Sequence, residues 1–577
     1  MKKGAIVSGQ IVRVDYPNKG IMITKDEATG ETREVVVKNA LPGQTVSARI
    51  LKMRHGRPEG QLLEVTAPAP NEKTVEEGLC PHFGVCGGCC YRSLPYEDEL
   101  AMKEAQIRRL LDSVVDTPYE YEPITHGPQS MEFRNKMEFS FGDEYKDGPL
   151  SLGLHKRNSM YDIVPVMKCQ MIDLGMRQIL RATLGFYQKK GLPYYHKMRH
   201  DGVLRHLLLR KSFSEGGYMV ALVTTGETAD LDLPGYVDHL LALPVGDRIR
   251  GILHMVNDSV ADTVASQKTT VLYGTDYLTE SLLGLQFKIS PFSFFQTNSL
   301  GAEVLYRVAR SYVGETQGRT VFDLYSGTGT IAQMLAPVAR HVVGVEIVEE
   351  AVQAARENAR LNGLTNCTFI AGDVLKKLDE IEERPDFIVL DPPRDGVHPK
   401  ALEKIIAYGV ENMIYISCKP TSLIRDLEIL QANGYRVVRA RAVDMFPGTA
   451  HVETVALLTR GRATHFMNLH PEPYEMIRSG QKTIELRLFD EKRRKIRPGD
   501  TIEFTNTATG ETLRTRVVKL HRFASFDELY QALPLLQCGY TEADIAGAKP
   551  SDMDEYYSAE EQQKYGVVGI ELTRDYE

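Results

Sequence analysis

Cys418 and Glu453 are the residues whose surroundings promise covalent chemistry. Cys418 closes an apolar run, Asn412-Met-Ile-Tyr-Ile-Ser417, and precedes Lys419-Pro420, so its thiol stands at a strand end. Glu453 sits at a second strand end, in His451-Val-Glu-Thr454. A buried strand cysteine is more often an inert small hydrophobe, and a strand glutamate an ordinary surface group. Their shared position at strand ends of one sheet raises both. A thiolate adds to an electron-poor carbon, and a carboxylate removes a proton from the adduct. Carbon 5 of uracil is not nucleophilic by itself. Addition of a thiolate to carbon 6 makes it an enolate that can attack a methyl group.

A methyl-donor site reads upstream. Asp323-Leu-Tyr325-Ser-Gly327-Thr-Gly329 ends one strand, where glycines let the backbone approach a ligand and feed a helix. Gly344-Val-Glu346 closes the next, and an acidic residue there suits ribose hydroxyls. Gly372-Asp373 stands where an adenine contact is usual, and Asp391-Pro-Pro-Arg394 ends the fourth strand. The longer glycine fingerprint of dehydrogenases is missing, so the pattern fits S-adenosylmethionine better than a dinucleotide.

A third constellation is thiol-rich. Cys80, Cys86 and Cys89 have spacing that brings three thiolates around one centre, with Cys169 the candidate fourth ligand. Four of the eight cysteines fall within residues 80–90, which in a reducing compartment favours metal or cluster ligation over disulfides. Four thiolates suit zinc or an iron–sulfur cluster equally well. Cys90 is an extra thiol beside the set.

These groups need elements to hold them. With 577 residues the chain is too long for one core. Residues 5–66 alternate as short strands, a small barrel of the oligonucleotide-binding type. Tyr96–Ser113 has helical periodicity, and residues 133–286 read mostly as strands and short helices. Residues 320–460 alternate β and α, which predicts a doubly wound sheet with functional residues at the carboxyl ends of its strands. After Arg462 comes a separate α+β piece. The expected architecture is multidomain α/β: a barrel over 1–67, a central α+β domain over 68–290, a Rossmann-like methyltransferase domain over 291–462 and a last domain over 463–577. No apolar run reaches membrane-spanning length and the opening residues begin a strand, so a cytoplasmic protein without membrane contact is expected. The formal charge of −8 argues against a nucleic-acid binder, but residues 1–66 carry eleven Lys/Arg against seven Asp/Glu. Lys197, Arg199, Arg205, Arg210 and Lys211 form a second basic stretch that could meet phosphates.

The series Phe294-Phe-Gln296-Thr-Asn298, Asp323-Leu-Tyr325-Ser-Gly-Thr-Gly, Gly344-Val-Glu346, Asp391-Pro-Pro-Arg394, Ser417-Cys-Lys-Pro420 and His451-Val-Glu-Thr resembles the motifs of the RNA 5-methyluridine methyltransferases. The resemblance covers roughly residues 1–460. It implies Gln296, Tyr325, Glu346 and Asp391 as S-adenosylmethionine contacts, Cys418 as nucleophile and Glu453 as base. Lys419 stands where the family often has Asn. The ribosomal RNA branch implies a 4Fe-4S cluster on the four cysteines, zinc being the alternative. The first barrel resembles a TRAM domain, an RNA-binding module. The implied substrate is RNA, 23S ribosomal RNA first and transfer RNA at its uridine loop as the alternative, with the target base flipped or single-stranded. Amino methylation of adenine is a rival, although its motif wants an aromatic where Arg394 stands and has no use for Cys418. A non-catalytic RNA-binding protein is the other. Residues 464–577 resemble an ASCH domain, a barrel related to RNA-binding PUA folds. Lys482, Glu485 and Arg487 could face a ligand there, but Glu485 replaces the threonine of the hydrolytic members, so RNA binding is expected over amide hydrolysis.

Overall fold

The structure, a computed structural model, describes residues 2–574 apart from 26–29, 55, 228, 262 and 315. Five strands, Ile6–Asp15, Lys19–Lys25, Thr32–Lys38, Thr45–Arg54 and Arg57–Ala67, close into a barrel. Alternate residues fill it: Ile11, Met22, Val35, Val37, Val46, Ala48 and Ile50. A Cβ on Gly9 would stand 2.1 Å from the Ile23 carbonyl oxygen, so only glycine permits that strand crossing. The turn after the first strand reaches out of the barrel: Tyr16 is buried in the core of the methyltransferase domain.

Seven strands make the central sheet, in the order Lys268–Gly274, Ile249–Val256, Tyr218–Thr224, Leu204–Lys211, Lys136–Asp143, Leu150–His155 and Ile163–Val164. Helix Leu174–Lys190 covers it through Met176, Ile179, Leu180 and Tyr187. Of the five cations expected here as a basic surface, Arg199 is exposed and pairs with Asp201 at 3.1 Å, while Arg205, Arg210 and Lys211 turn inward. Arg205 is buried and donates to the carbonyls of Asn257, Ser259 and Ala261 at 2.7–2.8 Å. Arg210 is buried too, donating to Pro291 at 3.1 Å and to Ser293, and Lys211 pairs with Asp173 at 2.8 Å. These cations are spent on internal acceptors, as buried charges must be.

The third unit is an eight-stranded sheet. Its strands are β1 (Glu120–His126), β2 (Thr316–Leu324), β3 (Ala339–Glu346), β4 (Cys367–Ala371), β5 (Phe387–Leu390), β6 (Asn412–Ser417), β7 (Tyr435–Asp444) and β8 (Glu453–Arg460), in the order β4-β3-β2-β5-β6-β8-β7-β1. Strands β4, β3, β2, β5 and β6 run parallel, and β8 is antiparallel between β6 and β7. Both faces are covered, so neighbouring residues feed different cores: Phe322, Val343, Ile388 and Tyr415 one side, Val321, Val342, Val389 and Ile414 the other. The segment expected as one central domain is divided here. Its helix Tyr96–Asp112 packs Ile107 and Leu111 into this sheet's core, and β1 pairs with β7.

The last unit is a five-stranded sheet in the order Thr464–Leu469, Thr501–Asn506, Thr512–Phe523, Val567–Arg574 and Ile484–Leu488. Arg487 on the last of these donates to the Asn468 carbonyl on the first at 2.9 Å, so a side chain spans the gap between the two edges. Buried Asp500 fixes this unit to β8, accepting from Arg460 at 2.9 Å and meeting His465 at 3.0 Å. Among the described residues no helix is long and apolar enough to cross a membrane.

Candidate active site

Antiparallel pairing brings the two chemical residues together. Ser417, the last residue of β6, lies opposite Thr454 on β8. Cys418 follows the one and Glu453 precedes the other, so both stand side by side at one sheet edge. That edge opens into a cavity of about 1430 Å³. Cys418, Glu453, Gln296, Tyr325, Gly327, Glu346, Asp373 and Asp391 all line it. Every residue expected to act on substrate or methyl donor therefore shares one space.

The end of the cavity around Tyr325, Gly327 and Glu346 is built from backbone. Tyr325 has φ 70°, Gly327 54° and Gly329 73°, a left-handed turn that swings the Tyr325 side chain into the cavity. A Cβ on Gly329 would stand 2.6 Å from the Phe369 ring. Glu346 accepts from the Gly327 N–H at 3.0 Å with one oxygen and the Val348 N–H at 2.9 Å with the other. Each oxygen keeps a lone pair for a hydroxyl in the cavity. Asp373 caps the short helix after it, accepting from Leu375 N–H at 2.9 Å. The Gln296 loop is held from the central domain: Asn135 donates to the Gln296 carbonyl at 2.9 Å and Arg210 grips the carbonyls of Pro291 and Ser293.

The end of the cavity that holds Cys418 and Glu453 is a buried acidic pocket eased by Arg394. Burial pushes Glu453 up to about 8, with Asp391 adding to the effect and Arg394 opposing it. Burial likewise pushes Asp391 up to about 7. The Cys418 thiol rises to about 11, from burial first and then the negative charges of Glu453 and Asp391, again eased by Arg394. Arg394 Nη2 lies 3.1 Å from His451 Nδ1. Burial and the nearby cations push His451 down to about 4, so it is neutral and accepts from the guanidinium. Arg394 and His451 both line the cavity beside Arg134 and Phe446, and none of the four had been assigned a role from the sequence. Arg394 and His451 were visible inside the motifs that carry Asp391 and Glu453. Arg134 and Phe446 have no local signal.

The loop from β7 to β8 that carries Phe446 and His451 is clamped from the cysteine-rich segment. Gly448 accepts from the Cys90 and Tyr91 N–H groups at 2.9 and 3.0 Å, and Arg92 donates to the Pro447 carbonyl at 3.0 Å. Gly448 N–H in turn donates to Glu99 at 2.6 Å. Behind it, fully buried Lys103 bonds Glu99 at 2.7 Å and Asp444 at 2.8 Å.

The four cysteines, Cys80, Cys86, Cys89 and Cys169, line a second cavity of about 20 Å³ with His82 and Arg92. Among the described residues no three His, Cys, Asp or Glu side chains are grouped as a single metal ion would need. Burial raises the thiols of Cys86, Cys89 and Cys169, the last two to about 11 and 12. In the last domain Lys482, Glu485 and Arg487 form one ion-pair cluster. Lys482 and Arg487 turn to buried Glu485, at 2.9 and 2.8 Å, and hold its carboxyl below the usual range.

A family model described as tRNA (Uracil-5-)-methyltransferase matches residues 255–461, and an ASCH domain model matches residues 467–574. A Clostridium tetani protein named an uncharacterized RNA methyltransferase is 44% identical over 460 residues, 80% of this chain and 99% of that protein. A protein of the same name from Caldanaerobacter subterraneus subsp. tengcongensis is also 44% identical over 460 residues, covering 80% of this chain and 100% of its own length. Among solved structures, Pyrococcus abyssi tRNA (uracil-54, C5)-methyltransferase in complex with S-adenosyl-L-homocysteine superposes with TM-score 0.61 at 24% identity, covering 78% of this chain and all of that one. The last likeness is one of fold.

Proposed function

We propose, from the premise that this chain belongs to the RNA uracil-5-methyltransferase family and ends in an ASCH domain, that Cys418 and Glu453 carry the reaction through a covalent pyrimidine adduct. The observation that carries this reading is their side-by-side placement in the cavity that Glu346, Gly327 and Tyr325 also line. S-adenosylmethionine supplies, when bound, an electrophilic methyl group that leaves a neutral thioether behind. Glu346 would hold its ribose and the Gly327 turn its backbone-facing edge, and a cavity of about 1430 Å³ accommodates donor and base together.

Cys418, once its thiol proton has passed to solvent, adds as the thiolate to carbon 6 of a flipped uracil, forming the carbon–sulfur bond and moving an electron pair toward carbon 5. Carbon 5 takes the methyl group. Glu453, poised at about 8, then removes the carbon 5 proton. The electrons left behind expel the Cys418 thiolate, and the ring regains its double bond. Arg394 keeps both acids closer to ionisation than burial alone would. An adenine amino group needs none of this thiol chemistry, which disfavours that rival.

The four cysteines take a 4Fe-4S cluster in this reading. Cys80, Cys86, Cys89 and Cys169 line one small cavity, and four thiolates are the donor set that such a cluster would take. The cluster would brace the segment that clamps the Phe446–His451 loop. The N-terminal barrel serves as a TRAM-type RNA contact, the substrate is 23S ribosomal RNA, and the protein works in the cytoplasm. The test is digestion of RNA methylated in vitro to nucleosides. Wild type yields 5-methyluridine and Cys418→Ala yields none; 5-methyluridine from Cys418→Ala, or N6-methyladenosine from either, sinks the proposal. Methylation of transfer RNA instead of 23S ribosomal RNA would correct the substrate and leave the chemistry standing.

A further inference from the structure

The last domain carries a cationic surface that nothing so far uses. Residues 463–577 hold fifteen Lys/Arg and twenty Asp/Glu, an acidic balance. Residues 492–522 within them hold nine Lys/Arg against three Asp/Glu, so the cations are gathered in one place. Lys492, Arg494, Lys495 and Arg522 are exposed. Arg494 and Arg522 share the Phe489 ring, their guanidiniums 5.6 and 4.6 Å from its centroid. Arg493 is neutralised by Asp490 at 2.8 Å. Among the described residues no carboxylate lies within ion-pair distance of Lys492, Arg494, Lys495, Arg497 or Arg522. Burial first, and then the like charges of Arg522 and Arg460, press the Arg497 guanidinium toward its neutral form. Such a cluster opposes its own folding and offers an unneutralised positive field to an external polyanion.

Its position says how the polyanion lies. The domain joins the catalytic sheet where the Pro498 carbonyl accepts from Arg460 at 2.5 Å and the Val518 carbonyl from Arg384 at 2.7 Å. Arg384 precedes β5 and Arg460 ends β8, whereas Asp391 follows β5 and Glu453 begins β8. Junction and catalytic pair are therefore at opposite edges of one sheet. A six-residue strand such as β6 spans about 20 Å. A nucleotide at Cys418 cannot touch the cationic surface, and only an RNA folded around the sheet can reach both.

We propose that the surface formed by Lys492, Arg494, Lys495, Arg497 and Arg522 binds the phosphate backbone of the substrate RNA, remote from the methylated uridine. This rests on the RNA-methylating reading above. It makes the fused domain a second grip that serves large folded RNA and is idle with a short strand.

The test uses the full chain with Lys492→Gln, Lys495→Gln and Arg522→Gln combined, three exposed side chains away from the junction and the cavity. Binding to unmodified 23S ribosomal RNA and to a ten-nucleotide uridine-containing strand is measured across salt. Three lost phosphate contacts lower the slope of log affinity against log salt for the long RNA by about 2 and weaken binding at low salt roughly tenfold or more, with the short strand bound as before. An unchanged slope and affinity for the long RNA overturns the proposal and assigns the surface to some other partner. Equal losses for both RNAs also overturn it, since the grip would then not be remote. Should the variant not fold, ultraviolet crosslinking of wild type to the same RNA decides: crosslinked peptides from residues 492–522 support the site and their absence refutes it. Methyl transfer to the short strand is followed in parallel. Its failure in wild type counts against the methylation chemistry, while the salt slope still reads the surface.

Discussion

Arg394→Gln isolates the electrostatic logic of the active site. The guanidinium opposes the rise of both Cys418 and Glu453, which stand at about 11 and about 8 with it in place. Both must give up a proton in the cycle, and both are acids whose charged forms burial disfavours. Removing the cation pushes both further up, so the rate loss must be largest at low pH and shrink as pH rises. At an effective dielectric of about 20 a unit charge is worth about 4 kcal/mol at contact distance and less further off, and the open cavity screens part of this. A residual of about 1.4 kcal/mol is a tenfold change in ionised fraction. The assay is single-turnover methyl transfer to RNA at saturating S-adenosylmethionine between pH 6.5 and 9.5. The variant should be about tenfold slower near pH 7, with its profile displaced to alkaline pH. A loss of the same size at every pH would mean that Arg394 only positions something, and no loss would remove it from the site; either refutes the reasoning.

Glu346→Gln loses the charge that its two N–H donors share and that the proposed function assigns to the donor hydroxyls, and charged hydrogen bonds are worth about 1.5–3 kcal/mol. Calorimetric affinity for S-adenosylhomocysteine should fall roughly tenfold to a hundredfold, and an unchanged affinity contradicts the placement. Lys103→Met strands Glu99 and Asp444 as unpaired buried carboxylates, a loss of about 3–5 kcal/mol. Its melting temperature should drop by roughly 10 °C; a shift within a degree or two would show that the buried trio is not what holds the Phe446–His451 loop. Asp500→Asn weakens the tie to Arg460 and His465, so trypsin should cut near Arg460–Arg462 roughly tenfold faster while short-strand methylation persists, with unchanged cleavage as the contrary result.

The juxtaposition of Cys418 and Glu453 was legible because both sit at strand ends. Ser417-Cys418 and Glu453-Thr454 are the carboxyl end of one strand and the amino end of its antiparallel partner, so an apolar run and its direction suffice to put them at one edge. The same holds for Glu346 and Asp391, each at the end of a parallel strand whose residues feed both cores. What stayed hidden depends on partners distant in the chain. Glu99 and Lys103 look like one solvated helix turn, and only Asp444, some 340 residues on, makes them a buried trio. Arg205 and Arg210 look like a basic surface until the carbonyls that hold them are folded alongside. Strand β1 has no local sign that it pairs with β7 rather than with the sheet nearer in sequence. Tyr16 belongs by spacing to the barrel, yet its ring is packed in the methyltransferase core.

The covalent adduct on Cys418 is tested most directly with RNA containing 5-fluorouracil, because fluorine at carbon 5 blocks the proton removal assigned to Glu453. Wild type incubated with S-adenosylmethionine and this RNA should give a protein–RNA species that survives denaturing electrophoresis, and peptide mapping should find the RNA on Cys418. Cys418→Ala should give none. A stable adduct on another residue, or none with RNA that the enzyme demonstrably methylates, would contradict the mechanism.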